Sequence, residues 1–249
     1  MPKETKQVKY ALWTGGWDST FMVIRLLRQG NIVQPIYIVD SSRASIQFER
    51  KAMAKLRKSM AKYNYWKGEL LPTEIVKIEE IPENSKISET WKKVNADTQL
   101  GIQHEWLARY AAWKNRDLYL GHEKGISENG HMTRTLNKYV SLIKNEDGVF
   151  VVDKNRSTQE GIVLLGHMLF PIMDCLETDM LKIINSWHLQ DVMKDIWFCH
   201  TPTKNGKPCG KCHPCRIKYD SGMGFLLPRK ELWHFRIKKI RQRISSLFN

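Results

Sequence analysis

Tyr10-Ala11-Leu12-Trp13-Thr14-Gly15-Gly16-Trp17-Asp18-Ser19-Thr20 is the stretch whose reading decides the fold. Its first half is apolar and continues from Val8, which predicts a short strand over about 8–13. Two adjacent glycines then make a sharp turn, and a helix is expected from about 18 to 29. With no Cβ at either glycine, backbone N–H groups can come close to a ligand. The helix directs its unpaired N–H groups and positive dipole end back at the turn. Ser19 and Thr20 add hydroxyls in the first turn. The whole reads as a cradle for a phosphate or pyrophosphate. It is not a Walker A loop, because no G-x-x-x-x-G-K-[ST] follows, and it lacks the G-x-G-x-x-G of a dinucleotide site. A plain glycine turn with an Asp/Ser helix cap is the structural alternative.

Outward from this corner, strand and helix patterns alternate. Ile36-Tyr37-Ile38-Val39 is an apolar run of the kind found in a buried parallel strand. Ser41 and Ser42 stand where a helix cap is wanted. Ile46, Met53, Leu56 and Met60 then recur at helical spacing, with a basic face between them that reads as solvated. Residues 63–73 are loop-like, and 75–79 alternate as a strand. Residues 82–96 are polar and poorly periodic, which suggests an insertion or lid. Leu100, His104, Leu107 and Ala111 mark a helix, and 117–121 the next buried strand. This β-α-β-α-β rhythm predicts an α/β fold, a parallel sheet with helices on both faces. A short helix is expected over 133–143, a hairpin-like segment over 149–153, a segment returning to the sheet edge at 169–172, and a helix over 178–188. Near the end, Trp233, Ile237, Ile240, Ile244 and Leu247 form an apolar stripe flanked by Lys238, Lys239, Arg241 and Arg243. That pattern predicts a docked basic helix or a surface for RNA, DNA or an acidic partner. Three regions follow: an α/β domain over 1–190, a metal-binding lobe over 191–228 and a basic C-terminal helix over 229–249.

The composition bounds the classes. The chain has 249 residues, 42% of them hydrophobic, and a mean hydropathy of -0.46. No apolar run approaches the roughly 18–20 residues of a membrane span, and the polar N-terminus lacks a signal-peptide core. A cytoplasmic, membrane-free protein is expected. Forty Lys and Arg against 26 Asp and Glu give a net charge of +14, which favours anionic partners.

Four of the five cysteines, Cys199, Cys209, Cys212 and Cys215, are spaced C-x9-C-x2-C-x2-C. Two intervening residues let neighbouring thiolates reach one ion, and the longer loop returns a fourth ligand. Pro202, Gly206, Pro208, Gly210 and Pro214 supply tight turns. Four thiolates with no open position predict a structural Zn²⁺ site. An iron–sulfur cluster is the rival. Cys175 stands apart and reads as a small buried hydrophobe.

Thr14-Gly15-Gly16-Trp17-Asp18-Ser19 resembles the S-G-G-x-D-S signature of the PP-loop ATP pyrophosphatases. Combined with Cys209-Gly210-Lys211-Cys212-His213-Pro214-Cys215-Arg216 and Phe170-Pro171-Ile172-Met173, the chain resembles the 7-cyano-7-deazaguanine synthase family of queuosine and deazapurine biosynthesis. The resemblance implies a Rossmann-like adenine nucleotide alpha hydrolase fold with a small C-terminal zinc lobe. It implies an ATP-dependent C–N ligase that uses ATP, Mg²⁺ and Zn²⁺. Such an enzyme adenylates the carboxylate of 7-carboxy-7-deazaguanine, releases AMP and pyrophosphate, and passes the acyl group to ammonia to give an amide, which a second ATP then drives by dehydration to the nitrile. Thr14, Gly15, Gly16, Trp17, Asp18, Ser19 and Thr20 would hold the phosphates, with Asp18 beside Mg²⁺, and Ile38, Val39 and Asp40 would take the adenine. Asp18, Ser19 and Lys124 are the catalytic candidates, and Gln103, His104, His122 and Glu123 the substrate-binding ones. The family often forms homodimers. Two places depart from its pattern. A V-P-x-R-N-like stretch reads here Leu100-Gly101-Ile102-Gln103-His104-Glu105, and a D-Y-G-Q-R-H-like run reads Asp40-Ser41-Ser42-Arg43-Ala44-Ser45. Divergent relatives in antiviral operons resemble it too, and for these the acceptor would be an amine on a protein or nucleic acid. Two other readings are a zinc-stabilised nucleic-acid-binding module without turnover and a tRNA-thiolating enzyme, for which Cys175 is the spare thiol.

Overall fold

The computed structural model describes residues 7–63, 66–123 and 130–230 together with Leu232, Phe235 and Ile237. Of the predicted C-terminal stripe, only Ile237 lies within them. In chain order the elements are β1 (Val8–Leu12), α1 (Trp17–Arg28), β2 (Ile32–Val39), α2 (Ile46–Met60), β3 (Glu69–Leu70), β4 (Glu74–Lys77), α3 (Ser85–Thr98), α4 (Gln103–Lys114) and β5 (Leu118–Tyr119). There follow α5 (His131–Tyr139), β6 (Leu142–Lys144), β7 (Phe150–Val152), α6 (Gln159–Leu165), β8 (Met168–Phe170), α7 (Glu177–Ser186), α8 (Gln190–Met193) and α9 (His213–Asp220). The described chain forms two units. The first comprises 1–14, 18–41 and 63–176, and the second 15–17, 42–62 and 177–249. No helix among the described residues is long and apolar enough to cross a membrane.

The first unit is an α/β structure on a mixed, mostly parallel sheet. Strand order is β3-β2-β1-β5-β8-β7-β6, with β4 also paired to β2. β1, β2, β3, β4, β5 and β8 run parallel to their neighbours in this set, whereas β7 is antiparallel to both β6 and β8. The expectation of a purely parallel sheet is thus corrected at one edge. The turn that closes the β6–β7 hairpin at Gly148 permits an antiparallel return without a crossover helix. The 169–172 segment is also corrected. β8 lies inside the sheet between β5 and β7, and all three of its residues are buried.

β2 starts four residues before its apolar run and is buried at Ile36, Tyr37 and Ile38 in succession, as a strand covered on both faces must be. α1 buries Phe21, Met22, Val23, Ile24, Leu26 and Leu27 and places Arg25 and Arg28 in its last turn, where the dipole favours cations.

Residues 82–96, expected as an insertion or lid, instead carry α3. Asn84 caps it by accepting a hydrogen bond from the Ile87 N–H at 3.1 Å, and only Ile87, Val94 and Thr98 are fully buried. That apolar stripe is too thin to register as a period in a polar sequence, though the Asn cap was a readable start signal. α6 and the two-residue β3 were not anticipated, being too short to show a period. These helices share one core with the sheet, built around Val94, Leu107, Tyr110, Leu118, Leu136, Leu165 and Phe170.

In the second unit α2 turns Ala52, Met53, Leu56 and Met60 inward. A second apolar cluster forms around Cys199, Cys215 and Leu227.

Candidate functional site

The first unit supplies the two ends of the glycine corner. The Trp13 N–H bonds the Ile36 carbonyl at 2.8 Å, carrying the β1–β2 ladder one step further. The Thr14 N–H reaches Ser19 Oγ at 3.4 Å, and the two hydroxyls lie 3.3 Å apart. Ser19 thereby ties the strand side of the corner to the first turn of α1. Thr20 is turned the other way. It is fully buried and accepts a hydrogen bond from Trp13 Nε1 at 3.0 Å, so this hydroxyl braces the core.

Gly121, at the end of β5, touches the same turn. A Cβ there would lie 2.8 Å from both Cα and N of Ser19 and 2.9 Å from the Asp18 carbonyl carbon. Only a residue without a side chain lets the β5 end approach the head of α1 so closely. The β1–β2 register ends at Leu12↔Ile36, two residues short of Ile38. Ile38, Val39 and Asp40 therefore extend past β1 at the carboxyl edge of the sheet, the side where open α/β sheets bind ligands.

The same edge gathers three of the substrate candidates. His122 follows Gly121, and its ring meets Phe170 edge-on at a centroid distance of 6.3 Å. His104, in the first turn of α4, is buried, with its Nε2 3.4 Å from Gln103 Nε2. Its Nδ1 is buried without a hydrogen-bond partner among the described residues. Burial, and then the charge of His122, push the His104 pKa down to about 4; burial does the same to His122. Both imidazoles are neutral at physiological pH, each with a nitrogen able to donate and one able to accept. Glu123, which follows His122, is half-buried, while Lys124 lies outside the described residues.

The second unit supplies the glycines themselves. Gly15 has φ +72°, a left-handed conformation that side chains resist. A Cβ there would lie 3.1 Å from Met53 Cγ and 3.3 Å from the Glu49 carbonyl of α2. The Gly15 carbonyl accepts a hydrogen bond from the Trp197 N–H at 2.9 Å. Trp197 stacks on Phe48 with centroids 4.7 Å apart, and its Nε1 donates to the Cys199 carbonyl at 2.8 Å. One residue thus holds both the glycine turn and the first cysteine. Trp17 is buried, so only its backbone can face a ligand. Lys218 Nζ sits 5.5 Å from its ring centroid and forms a buried ion pair with Glu177, which also accepts from Ser221.

The four cysteines converge. Their Sγ atoms all lie within 4.8 Å of one another, with Cys212–Cys215 at 3.4 Å, Cys199–Cys212 at 3.8 Å and Cys209–Cys215 at 4.0 Å. Zinc–sulfur bonds of about 2.3 Å in a tetrahedron place sulfurs about 3.8 Å apart, so the donor set and spacing fit one ion such as zinc. Four sulfurs this close leave no room between them for a multi-iron cluster. Burial raises the thiol pKa of Cys199 to about 11 and raises that of Cys215 as well. Burial works the same way on Cys209, but the Thr201 hydroxyl and the N–H groups of Lys211 and Cys212 outweigh it and bring this thiol down to about 6. Cys175 is buried in the first unit beside Arg25 and Asp174, 3.4 Å from the Arg25 guanidinium.

Sequence reasoning missed Trp197 and the Lys218–Glu177 pair, because nothing local marks a tryptophan or lysine as a partner of residues about 180 or 40 positions away. The chain matches no protein-family model and no curated protein.

Proposed function

We propose that the chain is an ATP-dependent ligase of the PP-loop type that activates a carboxylate as its acyl-adenylate. The observation that carries this reading is the corner after β1. Gly15 takes a left-handed turn, Ser19 is bonded back to Thr14, and Gly121 presses against the head of α1 with no side chain between. Backbone held so tightly near a helix N-terminus is preorganised for the charge of a leaving pyrophosphate. Binding that charge as it develops lowers the barrier to adenylation, which replaces the poorly leaving carboxylate oxygen by AMP, a good leaving group for the acyl transfer that follows.

In this reading Thr14, Ser19 and the Gly15–Asp18 backbone bind phosphate, and the ends of β2 at Ile38–Asp40 receive the adenine. Asp18 offers the hard oxygen ligand that Mg²⁺ prefers, and the ion would supply charge neutralisation on the phosphates. The neutral His104 and His122, with Gln103, suit a heteroaromatic acid with its own donors and acceptors, as a deazapurine has. Ammonia is the first acceptor considered, and the amine of a macromolecule the second, favoured by the strongly basic balance of the chain. The cysteine knuckle, loaded with Zn²⁺, would serve as a scaffold.

The test is release of AMP and pyrophosphate from ATP with 7-carboxy-7-deazaguanine, with and without ammonia. Amide or nitrile formed with ammonia supports the biosynthetic reaction, and AMP release only with a macromolecular acceptor supports the second. A Gly16→Asp variant is expected to lose at least 100-fold in rate. Parent protein that releases no AMP with any acid would remove the ligase reading.

A further inference from the structure

The net charge of +14 is unevenly placed. The second unit holds 21 of the 40 Lys and Arg but only 7 of the 26 Asp and Glu, whereas the first unit holds 19 of each kind. The first unit is neutral, and the whole excess belongs to the second. Its segments are scattered along the chain, so the segregation exists only once the chain is folded.

Among the described residues this excess is concentrated on α2 and the two residues that follow it. Arg50, Lys51, Lys55, Lys58 and Lys62 are all exposed, and the other exposed positions from 47 to 62 are Gln47, Ala54 and Ala61. The only carboxylate of the segment, Glu49, is buried and held by Ser45 and Arg43. Some exposed lysines elsewhere have acidic partners, as Lys93 has Glu160 and Lys138 has Asp97. None of these five forms an ion pair within the described residues. A turn over 203–207 bearing exposed Lys204 and Lys207 sits against Phe48 of α2, since a Cβ at Gly206 would lie 3.1 Å from the Phe48 ring. It extends the cationic surface past the start of the helix.

We propose that this α2 face docks the sugar-phosphate backbone of a nucleic acid. The positions 51, 55, 58 and 62 recur every three or four residues, which is about 4.5–6 Å of helix rise, a row of point charges for a repeating polyanion. The composition distinguishes this partner from an acidic protein. Protein interfaces are anchored by aromatic and apolar residues in desolvated pockets and are depleted in lysine. This face has four lysines, one arginine, and no aromatic or large apolar residue. It can bind phosphates without reading sequence. The inference stands apart from the ligase reading, and its experiment contains no ATP.

The experiment is fluorescence anisotropy of the full chain with labelled 20-nucleotide single-stranded DNA, single-stranded RNA and duplex DNA, between 50 and 200 mM NaCl. With all five cations neutralising phosphates, the log–log salt slope is expected near -3.5 on single strands and near -4.5 on duplex. Affinity should then fall by roughly 100- to 500-fold over that range. Lys51→Glu/Lys55→Glu/Lys58→Glu should weaken binding at least 10-fold at 50 mM and flatten the slope by about 2–3. These side chains are exposed, and circular dichroism checks the fold; Lys→Gln at the same positions gives the same reading with a smaller loss. The comparison variant is Lys67→Glu/Lys86→Glu/Lys92→Glu, three exposed lysines of the neutral unit with the same change in net charge. The proposal is overturned if the parent does not bind at 50 mM, or if the two triple variants lose equally. It is also overturned if polyglutamate competes as well as unlabelled oligonucleotide at equal charge, which would make the partner an acidic polypeptide.

Discussion

Gly121→Ala is the sharpest test of how the corner is built. The added carbon would stand 2.8 Å from Cα and N of Ser19 and 2.9 Å from the carbonyl carbon of Asp18. Carbon atoms rest about 3.5–4.0 Å apart, so the overlap approaches an ångström. It falls on main chain, which cannot rotate away as a side chain can. Overpacking of a close-packed interior costs about 1–3 kcal/mol, and backbone contact on three atoms places this substitution near 3. For a chain of this size, each kcal/mol moves Tm by about 2–4 °C, so a drop of about 6–12 °C is expected. Gly101→Ala is the comparison, since its added carbon meets nothing nearer than Gln103 Cγ at 4.0 Å. Scanning calorimetry of both variants reads the difference. Relief of the clash would also move Ser19 away from Thr14, so ATP-dependent AMP release should fall more in Gly121→Ala than stability alone explains. If Gly121→Ala melts within about 1 °C of the parent, the tight approach of β5 to α1 is not real, and the corner is not preorganised as argued.

Three further outcomes are expected. Metal analysis should find one zinc per chain, and its removal by chelation should lower Tm and change the emission of Trp197, which bonds both Cys199 and Gly15; iron with inorganic sulfide would contradict the single-ion geometry. Lys218→Met should destabilise by about 3–5 kcal/mol because Glu177 is left charged and buried, whereas Lys218→Met/Glu177→Gln should recover most of that loss; equal losses in both by urea unfolding would show that the pair is not coupled. The folded pKa of His104 and His122, about 4, lies below the unfolded value of 6.5, so the stability they contribute is complete above about pH 6.5 and is lost as pH falls toward 4. His104→Gln should therefore flatten the decline of Tm between pH 7 and 5, and an unchanged decline would place the histidines in solvent.

The cysteine knuckle and the glycine corner were legible because each is written within a short window. C-x9-C-x2-C-x2-C confines four sulfurs by chain length alone, and two glycines between an apolar strand and an Asp-Ser helix start leave few other conformations. α3 was misread for the opposite reason. Its three buried residues are spread over a polar helix whose stability comes from contacts with α4, α5 and α6 in one core, which no local period reveals. The placement of β8 inside the sheet was equally hidden, because a strand of three apolar residues has the same sequence at an edge or in the middle.

What the amino-acid sequence determined by itself was therefore the α/β class, the corner, the four-cysteine cluster and the total charge, all set by neighbours in the chain or by simple counting. Within the first unit, tertiary structure brought Gly121 against the head of α1 and turned Thr20 into the core; within the second, it tied Trp197 to Gly15. It also decided that the acidic residues fall mostly outside the unit that carries α2, which leaves the basic face of that helix uncompensated.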